Sequence, residues 1–414
     1  MTKITDIPAI RFKGFSDTWE QRKVGDLLIE RNQQAPMSDE YPLMAFIANE
    51  GVAPKGDRYD RSALVTDTAN KLYKKTEIGD FIYSSNNLET GSIGLNKYGK
   101  ACISPVYSIF EPTGIADSDF LGRRLVRKDF INAMVKWRQG VIYGQWRIHE
   151  SDFLKIEIPV PSVVEQRKIG AYLDQLDRLI TLHQRKYDKL TNVKKSMLGK
   201  MFPQNGSNVP EIRFKGFTEA WEQRKLSEIA TMHARIGWQN LRTSEFLDNG
   251  DYMLITGTDF MDGAVNFDTC HYVERERYEQ DKHIQIRNGS ILITKDGTLG
   301  KVAYIQGLTM PATLNAGVFN VEIRDEKEVD NRYLFQYLKA PFLMDYVDKK
   351  ATGGTIKHLN QNILVDFPVV LPQKDEQAKI GEYFLGIDNL ITLHQRELEK
   401  LKNLKKACLE KMFV

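Results

Sequence analysis

The sequence predicts an α+β chain in which two α+β domains are joined by two long antiparallel coiled-coil helices, the whole being a pseudo-twofold duplication. Three observations lead there. The chain repeats itself, each repeat ends in a block with heptad spacing, and the stretches between repeats mix short β-rich runs with amphipathic helical ones. At 414 residues there is room for two or three domains.

The repeat has two parts. Pro8–Leu27 reads PAIRFKGFSDTWEQRKVGDL and Pro210–Ile229 reads PEIRFKGFTEAWEQRKLSEI, an offset of 202. Glu165–Phe202 and Glu376–Phe413 then match at an offset of 211, sharing EQ-x-KIG and the stretch LITLHQR. Between these blocks lie two stretches of about 145 residues that hardly resemble each other. The period is too long for a solenoid unit, so each half reads as a domain followed by a helix. The boundaries expected are 1–160 and 203–371 for the domains, and 161–202 and 372–414 for the helices. Divergence confined to the middles suggests two related modules that bind different things on a common frame.

The first helical block places Ile169, Leu173, Leu176, Ile180, His183, Tyr187, Leu190, Lys194, Met197 and Met201 at alternating steps of four and three. Its partner repeats the register from Ile380 to Met412. Each stripe is too narrow for an isolated helix to bury, so mutual antiparallel pairing is expected. About 36 helical residues give a rod on the order of 50 Å, longer than one DNA turn of roughly 34 Å. His183 and His394 fall on this seam, where a packed, hydrogen-bonded histidine is expected rather than a metal ligand. The run Arg185, Lys186, Lys189, Lys194, Lys195 and Lys200 reads as a solvated face that also complements the helix dipole.

Strand signals in the variable stretches include Asp80–Asn87, Ser290–Ile305 and Ala316–Ile323, with helical patterns at Phe130–Arg138 and Arg332–Val347. Both stretches close alike. GVIYGQWRIHESDFLKIEIPVP in one and GGTIKHLNQNILVDFPVVLP in the other run from a Gly-rich polar loop into a strand and then a proline. These loops carry Gln145, Trp146, Arg147 and His149 in the first half, and Lys357, His358 and Asn360 in the second. The segment Arg235–Arg242 adds Arg235, Trp238, Gln239 and Arg242, and two turns add Lys55, Arg58, Arg61 and Lys295. Such donors suit phosphates and base edges, and the indoles offer an apolar plane.

Composition excludes several classes. Apolar types make up 42% and charged types 27%, an ordinary globular balance, and a net charge of +3 names no partner by itself. No stretch approaches the roughly 18 apolar residues of a membrane helix. The N-terminal MTKITDIPAIRFKGF has no apolar signal region. Cys102, Cys270 and Cys408 are few and far apart, so no disulfide framework is expected and a reducing cytoplasm is. Neither a phosphate-binding Gly-x4-Gly-Lys-[Ser/Thr] loop, nor an [Asn/Asp]-Pro-Pro-aromatic tetrapeptide, nor Gly-x-Ser-x-Gly, nor His-Glu-x-x-His occurs. Isolated carboxylates such as Asp296 and Glu322 remain, but a duplicated enzyme should repeat its catalytic residues. Here the repeated residues sit in the frame, so no catalytic or metal residues are expected.

IRFKGF…WEQRKL at each domain start, a GGTIKHLN-type loop, a strand ending in proline, EQ-x-KIG and a Lys-rich helix, nearly all of it twice, resembles the specificity subunit of type I restriction–modification enzymes. The resemblance spans essentially the whole chain. It implies that each domain is a target-recognition domain reading one half of a bipartite site in double-stranded DNA. The paired helices would set the unread gap as spacers, and the shared regions would dock two modification subunits. Those partners would use S-adenosylmethionine to methylate adenine, and restriction subunits would use ATP and magnesium. The chain itself would hold no cofactor. The first-half loop GVIYGQWRIHES departs from the second half's GGTIKHLNQN, so contacts do not transfer one for one. A stand-alone methyltransferase or nuclease is the alternative, and would show cofactor-dependent chemistry by the pure chain. A coiled-coil scaffold without DNA affinity would leave the Arg, Lys and Trp loops unexplained.

Overall fold

The computed structural model describes residues 7–54, 71–142, 145–204, 206–350 and 359–414, with backbone only at 139–142, 145, 146 and 238. The chain divides into two compact units, Met1–Leu182 with Glu397–Val414, and His183–Arg396.

In the first unit four antiparallel strands run in the order Leu28–Glu30, Ser108–Pro112, Phe81–Tyr83, Ile93–Leu95. A smaller sheet orders Gln34–Ala35, Tyr73–Thr76 and Ala101–Ile103. Strand geometry sends successive side chains to opposite faces. Phe81 and Tyr83 therefore enter one core with Phe120, Phe130 and Phe153, while Ile82 enters another with Ala101, Ile103 and Ile109. That two-sided burial is why the run reads as continuously apolar. Helices α1 (Ser118–Arg124) and α2 (Lys128–Val135) follow, α1 capped by Asp117, whose Oδ1 accepts from Phe120 N at 2.9 Å. Next comes the long helix α3, Val163–Met201.

The second unit repeats this plan although its sequence hardly does. Its strands order Ala230–His233, Val318–Ile323, Ile291–Thr294, Val302–Tyr304. Ile291 and Ile293 face one core and Leu292 the other, the same alternation. Its second sheet is larger, with His271–Tyr272, Met253–Ile255, Ala312–Leu314 and Gln285–Ile286, and one of its pairings is parallel. The helical pattern expected over 332–347 is two helices, α4 (Asn331–Lys339) and α5 (Phe342–Lys350). Pro341 forces Ala340 out of the helical region, to φ −66° and ψ 162°, and splits them. The chain ends in α6, Lys374–Lys411.

The repeated motifs build one clamp, once per unit. Glu20–Lys23 pairs with Glu157–Val160, and Glu222–Lys225 pairs with Pro368–Leu371. Trp19 packs edge-on to Phe120 and Phe413, and Trp221 to Phe202 and Tyr333. Arg11 grips Glu165 through two bonds of 2.7 and 2.8 Å, and Arg213 grips Glu376 through two of 2.8 Å. Gln166 accepts from Asp117 N at 3.0 Å and donates to Pro161 O at 2.9 Å; Gln377 accepts from Asp330 N at 2.9 Å and donates to Pro372 O at 2.8 Å. The EQ of the motif is thus a buried connector between long helix and domain. Its glycine permits the approach, since a Cβ at Gly170 would meet Asp117 Oδ1 at 2.7 Å, and one at Gly381 would meet Tyr333 N at 2.7 Å.

Within each unit the two long-helix segments run antiparallel, as the seams predict. In the first, Leu173 and Leu176 share a core with Cys408 and Met412, and Asp177 pairs with Lys405 at 2.5 Å. In the second, Ile380, Phe384 and Ile387 pack with Met201 and Phe202, and Lys194 pairs with Asp388 at 2.6 Å. His183 and His394 meet nitrogen to nitrogen at 3.1 Å, the packed seam pair expected. Burial lowers the His394 pKa, with His183 and then Lys186 adding to the effect. The three cysteines are free and buried.

Candidate nucleic-acid interface

Each domain has one loop that leaves the frame at the same place. In the first unit it is 145–149, immediately before the turn Glu150–Phe153; in the second it is 359–360, before the turn Gln361–Val365. Equivalent backbone bonds tie the segment after each turn to the one-turn helix that follows the EQRK strand, from Val24 N to Ile156 O and from Leu226 N to Phe367 O, both 2.8 Å. A second tie joins the loop to the segment after the central sheet strand. Ile148 N donates to Ser85 Oγ at 3.1 Å, and Leu359 N donates to Lys295 O at 2.9 Å. Two loops are therefore brought side by side in each domain, through a side-chain acceptor in the first and a backbone acceptor in the second.

The second unit shows what this juxtaposition builds. Lys295, Asp296, Asn360 and Gln361 line a cavity of about 510 Å³ with Ala234–Gly237 and Phe319. Lys295 holds its ammonium 5.4 Å from the centre of the Phe319 ring. Asn360 is exposed, lines the cavity and occupies a helix N-cap position without making the side-chain cap bond. Gln361 donates to Met232 O at 3.3 Å and anchors the rim. A cation, an amide and a concave wall form a surface suited to a phosphate and a base edge.

Two residues expected at the interface lie inside the domain. Arg235 is only 2% exposed, and its guanidinium donates to Leu314 O at 3.0 Å, Gln280 Oε1 at 3.1 Å, Thr313 Oγ1 at 3.3 Å and Arg277 O at 3.4 Å. Its donors are used in tying the loop to the second sheet, so it supports the surface rather than forming it. Gln239 is 4% exposed, with its side-chain oxygen accepting from Ile236 N at 3.4 Å. The sequence could not distinguish Arg235 from an exposed donor, because its burial depends on the 277–280 and 313–314 segments packing against it. Arg242 is exposed, its backbone N bonded to Glu245 at 2.8 Å. Trp238 lies in the turn Gly237–Gln239.

In the first unit Gln145–Arg147 forms a strand pairing with Gln139–Ile142. Arg147 is exposed, and His149 is half-buried at the N-cap of the turn Glu150–Phe153. Ser85, which sequence reasoning passed over, positions this loop; its correspondence to Lys295 comes from the strand order and not from the letters. Lys55, Arg58, Arg61, Lys357 and His358 lie outside the described residues.

Comparison with known proteins agrees with this architecture. A model of the type I restriction modification DNA specificity domain matches residues 16–192 and again 218–403, the two repeats. The chain is 23% identical over 407 residues to the type I restriction enzyme MjaVIII specificity subunit of Methanocaldococcus jannaschii, covering 94% of this chain and 91% of that one. It is 19% identical over 277 residues to the EcoBI specificity subunit of Escherichia coli, covering 62% of this chain and 57% of that relative. Its fold matches the crystal structure of a type I restriction–modification S subunit from M. genitalium, with a TM-score of 0.60, 15% identity and 99% of both chains covered. Two matches to one specificity domain, spanning most of the sequence, show that the chain belongs to the type I restriction–modification specificity subunit family.

Proposed function

We propose that the chain is the non-catalytic DNA-recognition subunit of a type I restriction–modification complex, each α+β domain reading one half of a bipartite site in double-stranded DNA. The observation that carries this reading is the loop pair mounted at corresponding places on two matching clamps, yet filled with different side chains: Arg147 and His149 beside Ser85 in one, Asn360 beside Lys295 in the other. Constant mounting with variable content is what reading two different half-sites requires, because phosphate contacts position a protein while base contacts specify.

The long helices fix the gap between half-sites, and the shared frame docks two modification subunits. Those partners supply S-adenosylmethionine-dependent adenine methylation, and restriction subunits supply ATP- and magnesium-dependent cleavage, all in the cytoplasm. Among the described residues no helix is long and apolar enough to cross a membrane.

The test is methylation mapping in cells that carry this gene and its genomic neighbours, against a deletion of this gene alone. A split adenine-methylated motif should vanish on deletion. An unchanged methylation pattern would refute the assignment. Inserting a whole heptad into both long helices should lengthen the gap in that motif, and an unchanged gap would refute the spacer role.

A further inference from the structure

Three side chains unused by DNA recognition converge on the first sheet of the second domain. His233 ends the strand Ala230–His233, Glu322 stands on the neighbouring strand Val318–Ile323, and His283 sits in the turn Lys282–Ile284. His233 Nε2 lies 3.5 Å, and His283 Nδ1 4.0 Å, from the same carboxylate oxygen, Glu322 Oε2. The imidazoles stack with centroids 4.5 Å apart and planes at 19°. One potential ligand atom from each residue lies within 4.8 Å of the other two. Asn320 Nδ2, bonded to His283 O at 2.9 Å, holds the turn against the sheet.

We infer that His233, His283 and Glu322 form a binding site for a divalent transition-metal ion, zinc being the best fit. Two imidazoles and one carboxylate are a borderline-soft donor set that leaves a fourth tetrahedral position for water. Of the groups near His233, His283 stacks on it and Glu322 faces it. Of the other charged groups felt there, Asp281 favours a cation and Arg324 opposes it. Bonds of about 2.0–2.1 Å require the three ligand atoms to close to roughly 3.3 Å. His283 is 66% exposed and Glu322 49%, so both can swing inward without disturbing the core. The Thr231 hydroxyl, 3.0 Å from His233 Nε2, gives up that nitrogen when the ion enters.

The first domain supplies an internal control. At the offset of 202 its counterpart of His233 is Arg31, and the register that sets Glu322 opposite Thr231 sets Glu111 opposite Ile29. Arg31 binds Asp80 at 2.9 Å and Glu111 at 2.6 Å. A guanidinium fills the place with its own charge and has no lone pair to offer. One such site per chain is therefore expected, with the ion replacing the charge that Arg31 carries.

The test uses the full, untagged chain freed of metal by chelator and titrated with Co²⁺, followed by its visible absorption and displaced by Zn²⁺. One equivalent with tetrahedral cobalt bands is expected. H283A, at an exposed position that does not threaten folding, should weaken binding by about tenfold or more, and E322Q should alter the bands. H394N, which breaks the seam histidine pair, should leave binding unchanged. No cobalt bands, equal binding by H283A and the parent chain, or loss confined to H394N would each overturn the site. In those cases His233 and Glu322 form only a side-chain contact where the first domain has the Arg31–Glu111 ion pair.

Discussion

The clamp and the sheet edge behave oppositely when the two halves are compared. At the clamp every part recurs, Arg11–Glu165 and Arg213–Glu376 differing by at most 0.1 Å in bond length. At the sheet edge one half places Arg31 and the other His233 on the same register, with a glutamate on the neighbouring strand in each. The difference teaches where the fold is held and where it is free. A bidentate ion pair with a buried carboxylate is costly to break from either side, whereas a half-exposed edge position accepts either an arginine or a histidine beside its glutamate.

Breaking the clamp should have the largest effect. E376A leaves the guanidinium of Arg213, 13% exposed, without its fully buried partner, and should cost about 3–5 kcal/mol. E165A should cost the same in the first unit, where Arg11 and Glu165 are 12% and 1% exposed. Urea unfolding of the full chain measures both, and a large inequality would show that the two clamps are not equivalent.

The motif glycines sharpen the comparison. At Gly381 an added Cβ meets backbone, Tyr333 N at 2.7 Å and Arg332 C at 2.9 Å, which cannot yield. At Gly170 the nearest atom is the Asp117 carboxylate oxygen, at 2.7 Å, with backbone no closer than 3.3 Å. Alanine gains about 1 kcal/mol of helix propensity at either site. G381A should therefore be destabilising by about 1–3 kcal/mol and G170A closer to neutral, as read from thermal unfolding.

The seam lysines come next. Lys194 is 10% exposed and shares Asp388 with Lys339, while Lys405 is 34% exposed beside Asp177. Burial, followed by the charge of Lys339, brings the Lys194 pKa down to about 8. Unfolded lysine keeps its proton to about 10.4. Between those values the unfolded chain holds more protons than the folded one, so stability should rise as pH climbs from 8 toward 10. K194M should abolish that rise in pH-dependent urea unfolding. K405M should change stability by about 1 kcal/mol or less.

The smallest effect on stability should come from the interface. K295A and R147A should each change folding by less than about 0.5 kcal/mol, yet each should impair one half-site and spare the other. If either removes a phosphate contact, the slope of binding against salt should fall by about one. Competition binding with DNA altered in one half-site at a time measures this, and joint loss of both half-sites would contradict separate reading.

Periodicity and repetition in the sequence are sufficient for the duplication, both long helices, their antiparallel seam and the loop at the end of each domain. Those features rest on local spacing, which a heptad or a repeated motif records directly. Tertiary structure alone decided the rest. The variable stretches share a strand order because Ile82 and Leu292 alternate between cores in the same way, a similarity of face rather than of letter. Arg235 and Arg242 look alike in sequence, and only the packing of segments some forty and eighty residues away buries the first and exposes the second. His233, His283 and Glu322 stand fifty and thirty-nine residues apart. No spacing rule connects them; the sheet register and the turn at Lys282–Ile284 bring them together.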